Sequence, residues 1–511
     1  MPAQRRGRAM LKRAYGATVF LSAAMLMVLE ITAGRIIAPY VGNSLYSWTS
    51  VIGIVLAGLS FGNWLGGWLA DRNHGHLTLG ITLGLGALAS LLVLALLPAF
   101  GTLLQGRTLS LAWTSILLVL GLFLLPSILL GVISPLATTL YLKIDDSVGR
   151  AVGLLHALAA TGSIFGTFAA GFLFIQWIGT RWTVILVAAV LLLLAVPWLL
   201  RGRHRTAILT SLLGAGAVIT AIAGHVDGFA SPCDEESRYY CLRVVEEADG
   251  NGEAWARSLV IDHMRHGTNV LNDTQALWTP YIHGMDTLVE ARFPHGKHLR
   301  YFFVGGGAYT HPRALADRTP RPEIVVSEID PAVTGISESM LDLDASGMTI
   351  HHTDSRYALS LYDGGHFDVI VLDAFHDVGI PHHLVTREFN DNVRQRLADN
   401  GLYLINAIDR FPDSALIRSM LTTLEESFEH VGVWIERPED GQDRLTYIVC
   451  ASRTPLPFAS IASAHGLPRT WYDISEFVEQ QREQHGAVVL TDDYAPVERL
   501  ISVLFTSPEQ I

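Results

Sequence analysis

Residues 301–315 read YFFVGGGAYTHPRAL. An apolar run drives into Gly305, Gly306 and Gly307, and Pro312 follows as a good first helical residue. Strand, glycine turn and helix form the unit from which a doubly wound parallel sheet is built. The rhythm continues downstream. EIVVSEID (323–330), MTIHHTD (348–354), FDVIVLD (367–373) and GLYLINAI (401–408) read as further strands, with a helix near 386–399 before the last. Ligands of such sheets sit beyond the carboxyl ends of the strands. Those ends carry the three glycines, then Glu328, Asp354 and Asp373.

One glycine turn and three carboxylates along one rim suit a nucleoside. Glycines let the backbone come close, Glu328 can accept from ribose hydroxyls, and Asp354 can accept from an adenine amino group. A dinucleotide fits less well, because the third glycine of its G-x-G-x-x-G fingerprint falls at Thr310. The phosphate-binding G-x-x-x-x-G-K-[ST] pattern is absent. An S-adenosyl ligand has adenine and ribose but no phosphate, and fits best.

Upstream, residues 238–271 hold short alternating runs interrupted by ADGNGE, a strong turn signal, and read as a small β-hairpin region. A helix is expected near 274–292. Before HVDGFASPCDEES the chemistry changes. Through Gly224 the chain has 14 Lys+Arg and 4 Asp+Glu, a balance of +10; the remainder has 22 and 44, a balance of −22. Such a split indicates two different surroundings. The acidic half excludes nucleic acid as a partner, since phosphates would be repelled. The expected organisation is a transmembrane bundle over 1–224, a small β region over 225–292 and an S-adenosyl-binding α/β domain over 293–511.

A membrane span takes roughly 20 apolar residues. Stretches of that kind lie near 14–38, 48–70, 77–99, 109–134, 151–175, 180–200 and 206–224, the last being rich in Gly, Ala and Thr. Basic residues favour the cytoplasmic side. With the N-terminus inside, inner loops hold Arg72, Lys143, Arg150, Arg201, Arg203 and Arg205, and outer loops hold Arg107 and Arg181. Seven crossings leave residues 225–511 outside; six, with 206–224 re-entrant or on the surface, leave them inside. S-adenosyl donors are made in the cytoplasm, so the expectation is an inner-membrane protein with its second half inside. Cys233 and Cys241 pair if that half lies outside and stay thiols if it lies inside. Glu30, in the first span, reads either as a structural polar group or as part of an amine path.

The chain resembles the spermidine synthase family, the polyamine aminopropyltransferases, and more closely their bacterial membrane-fused relatives. The stretches that carry the likeness are YFFVGGGAYTHPRAL, IVVSEIDPAV, HHTDSRYAL, FDVIVLDAFHDVGIPHHLVTREFNDNVRQRLADNGLYLIN and VLTDDYAPVERL; FLSAAMLMVLEITAGRIIAPYVG and LAGLSFGNWLGGWLADR match the fused relatives' first spans. The resemblance implies a small β domain before a methyltransferase-like sheet. It implies aminopropyl transfer from decarboxylated S-adenosylmethionine to a polyamine-type amine, without a metal, in a protein that can form a homo-oligomer. Gly305, Gly306, Gly307, Glu328, Asp354 and Ser355 would hold the donor. Asp373 would be the catalytic acid, and Tyr309, His376, Asp377, Asp492 and Asp493 would meet the acceptor.

Three departures bear on the reaction. The family's GGGD is GGGA here, at Ala308. Its D-S-x-D-P is Asp373-Ala374-Phe375-His376-Asp377. Its Tyr-His-Glu segment is replaced by DTQALWTPYIHG, with Tyr281 and His283 in a different arrangement. Two other readings stand beside the first: a methyltransferase using S-adenosylmethionine, and an amine transporter or sensor whose second half binds a nucleoside without catalysis.

Overall fold

The computed structural model describes residues 2–72, 75–105, 109–201, 205–293, 296–438, 442–456, 459–463 and 465–507. Arg107 and Arg203, counted above in the loop charge bias, lie outside them. The chain divides into one unit ending at Pro232 and another beginning at Cys233.

The first unit is helical: α1 (Pro2–Val41), α2 (Leu45–Asp71), α3 (His76–Gln105), α4 (Leu111–Leu142), α5 (Val148–Ala169), a π turn (Ala170–Phe174), α6 (Ile175–Leu199) and α7 (Arg205–His225). Six helical stretches among the described residues are long and apolar enough to cross a membrane. One of them, Val148–Leu199, is 52 residues long. At about 1.5 Å per residue that is more than twice the ~30 Å of a hydrocarbon core. Gly179, at φ 77°, breaks it into two legs. α7 forms a continuous helix of 21 residues, so the seventh stretch is no shorter than a span requires.

Close packing of α2 on α4 rests on glycine. A Cβ at Gly62 would lie 2.2 Å from the Ile128 carbonyl oxygen, so only hydrogen fits there. Large apolar side chains face outward. Trp177 is 82% exposed and Leu193 70%, an arrangement that water opposes and lipid tails accept.

The second unit opens with an antiparallel sheet in the order β1-β2-β3-β4: β1 (Glu235–Glu236), β2 (Cys241–Ala248), β3 (Ala254–Ile261) and β4 (Met264–Val270). A disulfide joins Cys233 to Cys241. Helix α8 (Pro280–Arg292) follows, starting at its proline rather than at 274.

A nine-stranded sheet then forms from β5 (Arg300–Val304), β6 (Glu323–Ser327), β7 (Met348–His351), β8 (Phe367–Leu372), β9 (Leu397–Arg410), β10 (His430–Glu436), β11 (Arg444–Ser452), β12 (Ser460–Ala462) and β13 (Thr470–Asp473). Its order is β12-β13-β10-β11-β9-β8-β5-β6-β7. The stretch β7-β6-β5-β8-β9 is parallel, as its apolar runs required. Helices α9 (Thr310–Ala316), α10 (Pro331–Met340), α11 (Ser355–Leu361) and α12 (Arg387–Arg396) connect those strands, and α13 (Ala415–Leu424) follows β9. The other four strands extend the sheet antiparallel, which makes it mixed where a purely parallel sheet was expected. The chain order reverses between β5 and β8, so a crevice opens there at the carboxyl ends.

Candidate active site

The crevice is set by the glycine turn after β5. Gly305 sits at φ 96°, a region L side chains avoid. A Cβ there would stand 2.6 Å from the Asp373 carbonyl oxygen. Glycine therefore lets the ends of β5 and β8 run side by side. The Asp373 amide donates to the Val304 carbonyl at 2.9 Å, and the Gly305 amide to that of Ser327 at 2.9 Å.

Asp373 is gripped at both oxygens. Asn406 Nδ2 donates to Oδ1 at 2.8 Å, and the Tyr281 hydroxyl donates to Oδ2 at 2.9 Å. Burial raises its pKa above the ordinary carboxylate value, and the two hydrogen bonds work against that rise. Burial likewise raises the Tyr281 pKa, reinforced by the nearby Asp373 charge, so the phenol stays a donor. The narrow cavity in front of Asp373 is lined by Gly305, Gly306, Ala308, His266 and His311. Burial pushes the His266 imidazole down to about 4, which makes it neutral near pH 7. His311 sits 3.2 Å from Asp286 Oδ1. Tyr281, Asn406, His266 and His311 had no role in the sequence reading. Only Tyr281 carried a signal there, in PYIH; its neighbour His283 turns away and meets the His465 carbonyl at 3.1 Å.

Glu328, at the end of β6, accepts from the Gly306 amide at 2.8 Å and the Asp330 amide at 2.9 Å. Burial raises its pKa and these amides oppose the rise. Asp354 caps α11 through the Tyr357 amide at 3.0 Å and meets His383 Nε2 at 2.8 Å. The His383 contact holds its pKa below the ordinary value. The glycine turn, Glu328, Asp354 and Asp373 thus share one rim.

Other expected site residues are placed differently. Tyr309 is fully buried at φ 53°, its ring beneath Gly306 and its hydroxyl 2.7 Å from that of Thr334. It shapes the turn from below and has no surface for an acceptor. The Ser355 hydroxyl is taken by the Ser327 carbonyl at 3.1 Å. His376 is exposed, its amide closing a turn onto Gly379. Asp377 is buried with Oδ1 3.1 Å from His263 Nδ1, so its charge faces the small sheet. Asp492 is held bidentately by Arg356, at 2.7 and 2.6 Å, which lowers its pKa and occupies the carboxylate expected to draw an amine. Asp493 is exposed beside it.

Asp286, Glu290 and His465 lie close enough to one another to suggest metal ligands. Arg318 already neutralises Asp286 at 2.5 Å, and the buried His311 stands beside it, so the cluster is complete as an ion-pair network.

No family model matches the chain. A polyamine aminopropyltransferase of Vibrio vulnificus is 36% identical over 113 residues, 22% of this chain and 38% of that protein. A probable polyamine aminopropyl transferase of Bifidobacterium longum is 22% identical over 215 residues, 39% of this chain and 48% of that protein. The chain thus spans less than half the length of either relative. Among solved structures, a probable spermidine synthase of Corynebacterium glutamicum is 25% identical, covering 52% of this chain and 97% of that one at a TM-score of 0.44. Over these segments the chain is similar to polyamine aminopropyltransferases, and it carries a helical bundle ahead of the α/β half in which the similarity lies.

Proposed function

We propose that the protein is a membrane-anchored transferase that moves an aminopropyl group from decarboxylated S-adenosylmethionine to an amine, the relatives' names indicating the polyamine class. The observation that carries this reading is Asp373, held by Tyr281 and Asn406 beside the glycine turn at the switch point. Gly305, Gly306 and Gly307 would line the donor, with Glu328 on the ribose and Asp354 on the adenine. In the reaction, the amine lone pair forms a bond to the methylene carbon beside the sulfonium. The carbon–sulfur bond breaks, and its electron pair stays on sulfur as a neutral thioether. The proton lost by the new ammonium goes to the Asp373 carboxylate. A half-buried carboxylate of raised pKa is a better proton acceptor than an exposed one.

Ala308 favours a second reading. It is buried where an acid would hold the free amine of the decarboxylated donor, and its absence is compatible with methyl transfer from ordinary S-adenosylmethionine. Thermal shifts of the detergent-solubilised chain with each donor separate the two. Preferential stabilisation by the decarboxylated form supports aminopropyl transfer; preference for the ordinary form overturns it in favour of methylation.

For the side of the membrane we infer the alternative to the cytoplasmic expectation. A break at Gly179 and a full-length α7 support seven crossings, and the Cys233–Cys241 disulfide supports an oxidising compartment. Both favour an α/β half on the outer face of the membrane. A C-terminal reporter that is active only in the cytoplasm should then stay silent; activity there would restore the inner placement.

A further inference from the structure

The turn between β1 and β2 reaches the support of Glu328. Residues 237–240 join the two strands, and the Cys233–Cys241 disulfide closes a ring of chain around them. Ser237 is the hub of that ring. Its hydroxyl oxygen accepts from the Tyr239 amide at 3.0 Å and the Tyr240 amide at 2.9 Å, and its own amide donates to the Tyr240 carbonyl at 2.9 Å. The same hydroxyl donates to Asp330 Oδ2, 93 residues away in sequence. Ser237 and Asp330 are both buried, so water does not compete for this bond. Asp330 passes the contact on. Its amide donates to Glu328 Oε1 at 2.9 Å, and its Oδ1 accepts from the Ala332 amide at 3.1 Å, which caps α10. Tyr240 lies beside the same group. Burial raises its phenol above the ordinary value, and the charges of Glu328, Asp262 and Asp330 add to the rise.

The two ends of the ring are not equally fixed. Cys241 is buried in β2, where its amide donates to Asp262 Oδ1 at 2.9 Å and its carbonyl accepts from the Asp262 amide at 2.8 Å. Cys233 stands ahead of β1, a strand of two residues. Beside it, the Asp234 amide donates to the Leu242 carbonyl at 2.8 Å, and Asp234 Oδ2 accepts from the Val244 amide at 2.7 Å. So short an edge strand adds little stability of its own. Ring closure by the disulfide removes much of the freedom that the segment would otherwise keep.

We infer that the disulfide-closed turn is a positioning element of the donor site: with the ring closed, Ser237 fixes Asp330 and through it Glu328, and donor affinity falls when the ring opens. This rests on the reading above in which Glu328 holds the donor's ribose.

The test is calorimetry on the full chain in detergent, oxidised and after dithiothreitol, with decarboxylated S-adenosylmethionine and with S-adenosylmethionine. The dithiol gives the disulfide two electrons and two protons and closes to its own cyclic disulfide. Cys450 is already a thiol, so no other cysteine changes state. Reduction should raise the donor Kd about three- to tenfold, part of the worth of a hydrogen bond to a charged group. Ser237→Ala should raise it by a similar factor in the oxidised chain. Reduction should then add little, because both changes act on one contact. Ser237→Thr keeps the hydroxyl and should bind donor as the unaltered chain does. A turn that serves stability alone would lower the melting temperature on reduction and leave the donor Kd where it was; that result overturns the inference. Effects of reduction and of Ser237→Ala that add in full overturn it as well. Should Ser237→Ala not fold, the unaltered chain decides: affinity lost on reduction and regained on reoxidation supports the inference, and constant affinity overturns it. An oxidised chain that binds neither donor overturns the S-adenosyl reading and this inference with it.

Discussion

Glycine does unlike work in the two halves of the molecule. At Gly62 the backbone is ordinary helix, and the missing side chain only lets α2 touch α4. At Gly305 both the left-handed φ and the contact with the Asp373 carbonyl demand glycine, and the result is a crevice. The surfaces differ in the same sense. Trp177 and Leu193 stand on the outside of the bundle, whereas Trp434 and Trp471 are buried in the α/β half. The bundle is held by close helix packing and turns large apolar side chains outward. The α/β half has water to exclude, and it uses that exclusion to tune Asp373.

The hardest blow to this contrast is Asp373→Asn. It should reduce turnover by about 10² to 10⁴, the usual worth of a positioned general base, while donor affinity by calorimetry holds. Undiminished turnover would remove Asp373 from the chemistry.

Gly305→Ala and Gly62→Ala should each cost roughly 1–3 kcal/mol, from overpacking and, at Gly305, a strained φ. Only the first should also weaken donor binding. If Gly62→Ala weakens it equally, the two halves are coupled and the contrast fails.

Tyr281→Phe removes one hydrogen bond to the ionised carboxylate and should lower kcat/KM about tenfold at neutral pH. It should also shift the pH profile. Asp373 must be ionised to take a proton, and burial already raises its pKa, so activity falls on acidification at a higher pH than an ordinary aspartate would give. Losing the tyrosine raises the pKa again and moves this limb further up. Stability runs the other way. A folded pKa above the unfolded one means the charge costs stability at neutral pH, and acidification through the folded pKa relieves that cost.

The smallest effect expected is optical. Brominated lipids should quench Trp177 and Trp182 on the bundle exterior and spare Trp434 and Trp471. Replacing Trp177 and Trp182 with Phe should therefore remove part of the quenchable emission, the rest coming from Trp64, Trp68 and Trp113, which are exposed on the bundle as well. No change would mean that this face of α6 does not meet lipid.

The central parallel strands β5, β6 and β8 were legible because each apolar run ends abruptly in glycine or acid, the mark of a strand buried on both faces. The antiparallel extension was mostly not. Its strands are short or interrupted, as in RTWYD and the runs around Glu436, and their pairing is decided by neighbours remote in sequence. Within the site, Glu328, Asp354 and Asp373 could be found because strand ends are visible in sequence. Tyr281 and Asn406 could not be assigned, because their contacts with Asp373 span 92 and 33 residues. Tyr309 follows the glycines directly, yet one left-handed dihedral turns its ring under the turn. Asp492 looked available for an amine until folding brought Arg356 from 136 residues away.

That last pair ties the segment around Asp492 to the end of the rim opposite Asp373. The Leu490 carbonyl accepts from the Arg387 amide at 2.8 Å, and two residues later Asp492 occupies the Arg356 guanidinium. Asp492→Ala would free a cation two residues from Asp354, the carboxylate proposed for adenine. Arg356 would compete with the base for that acid. That variant keeps the buried Leu490, Val497, Ile501 and Phe505 in place, so it should remain folded and yet hold adenosine compounds poorly, a defect easily mistaken for damage at the glycine turn.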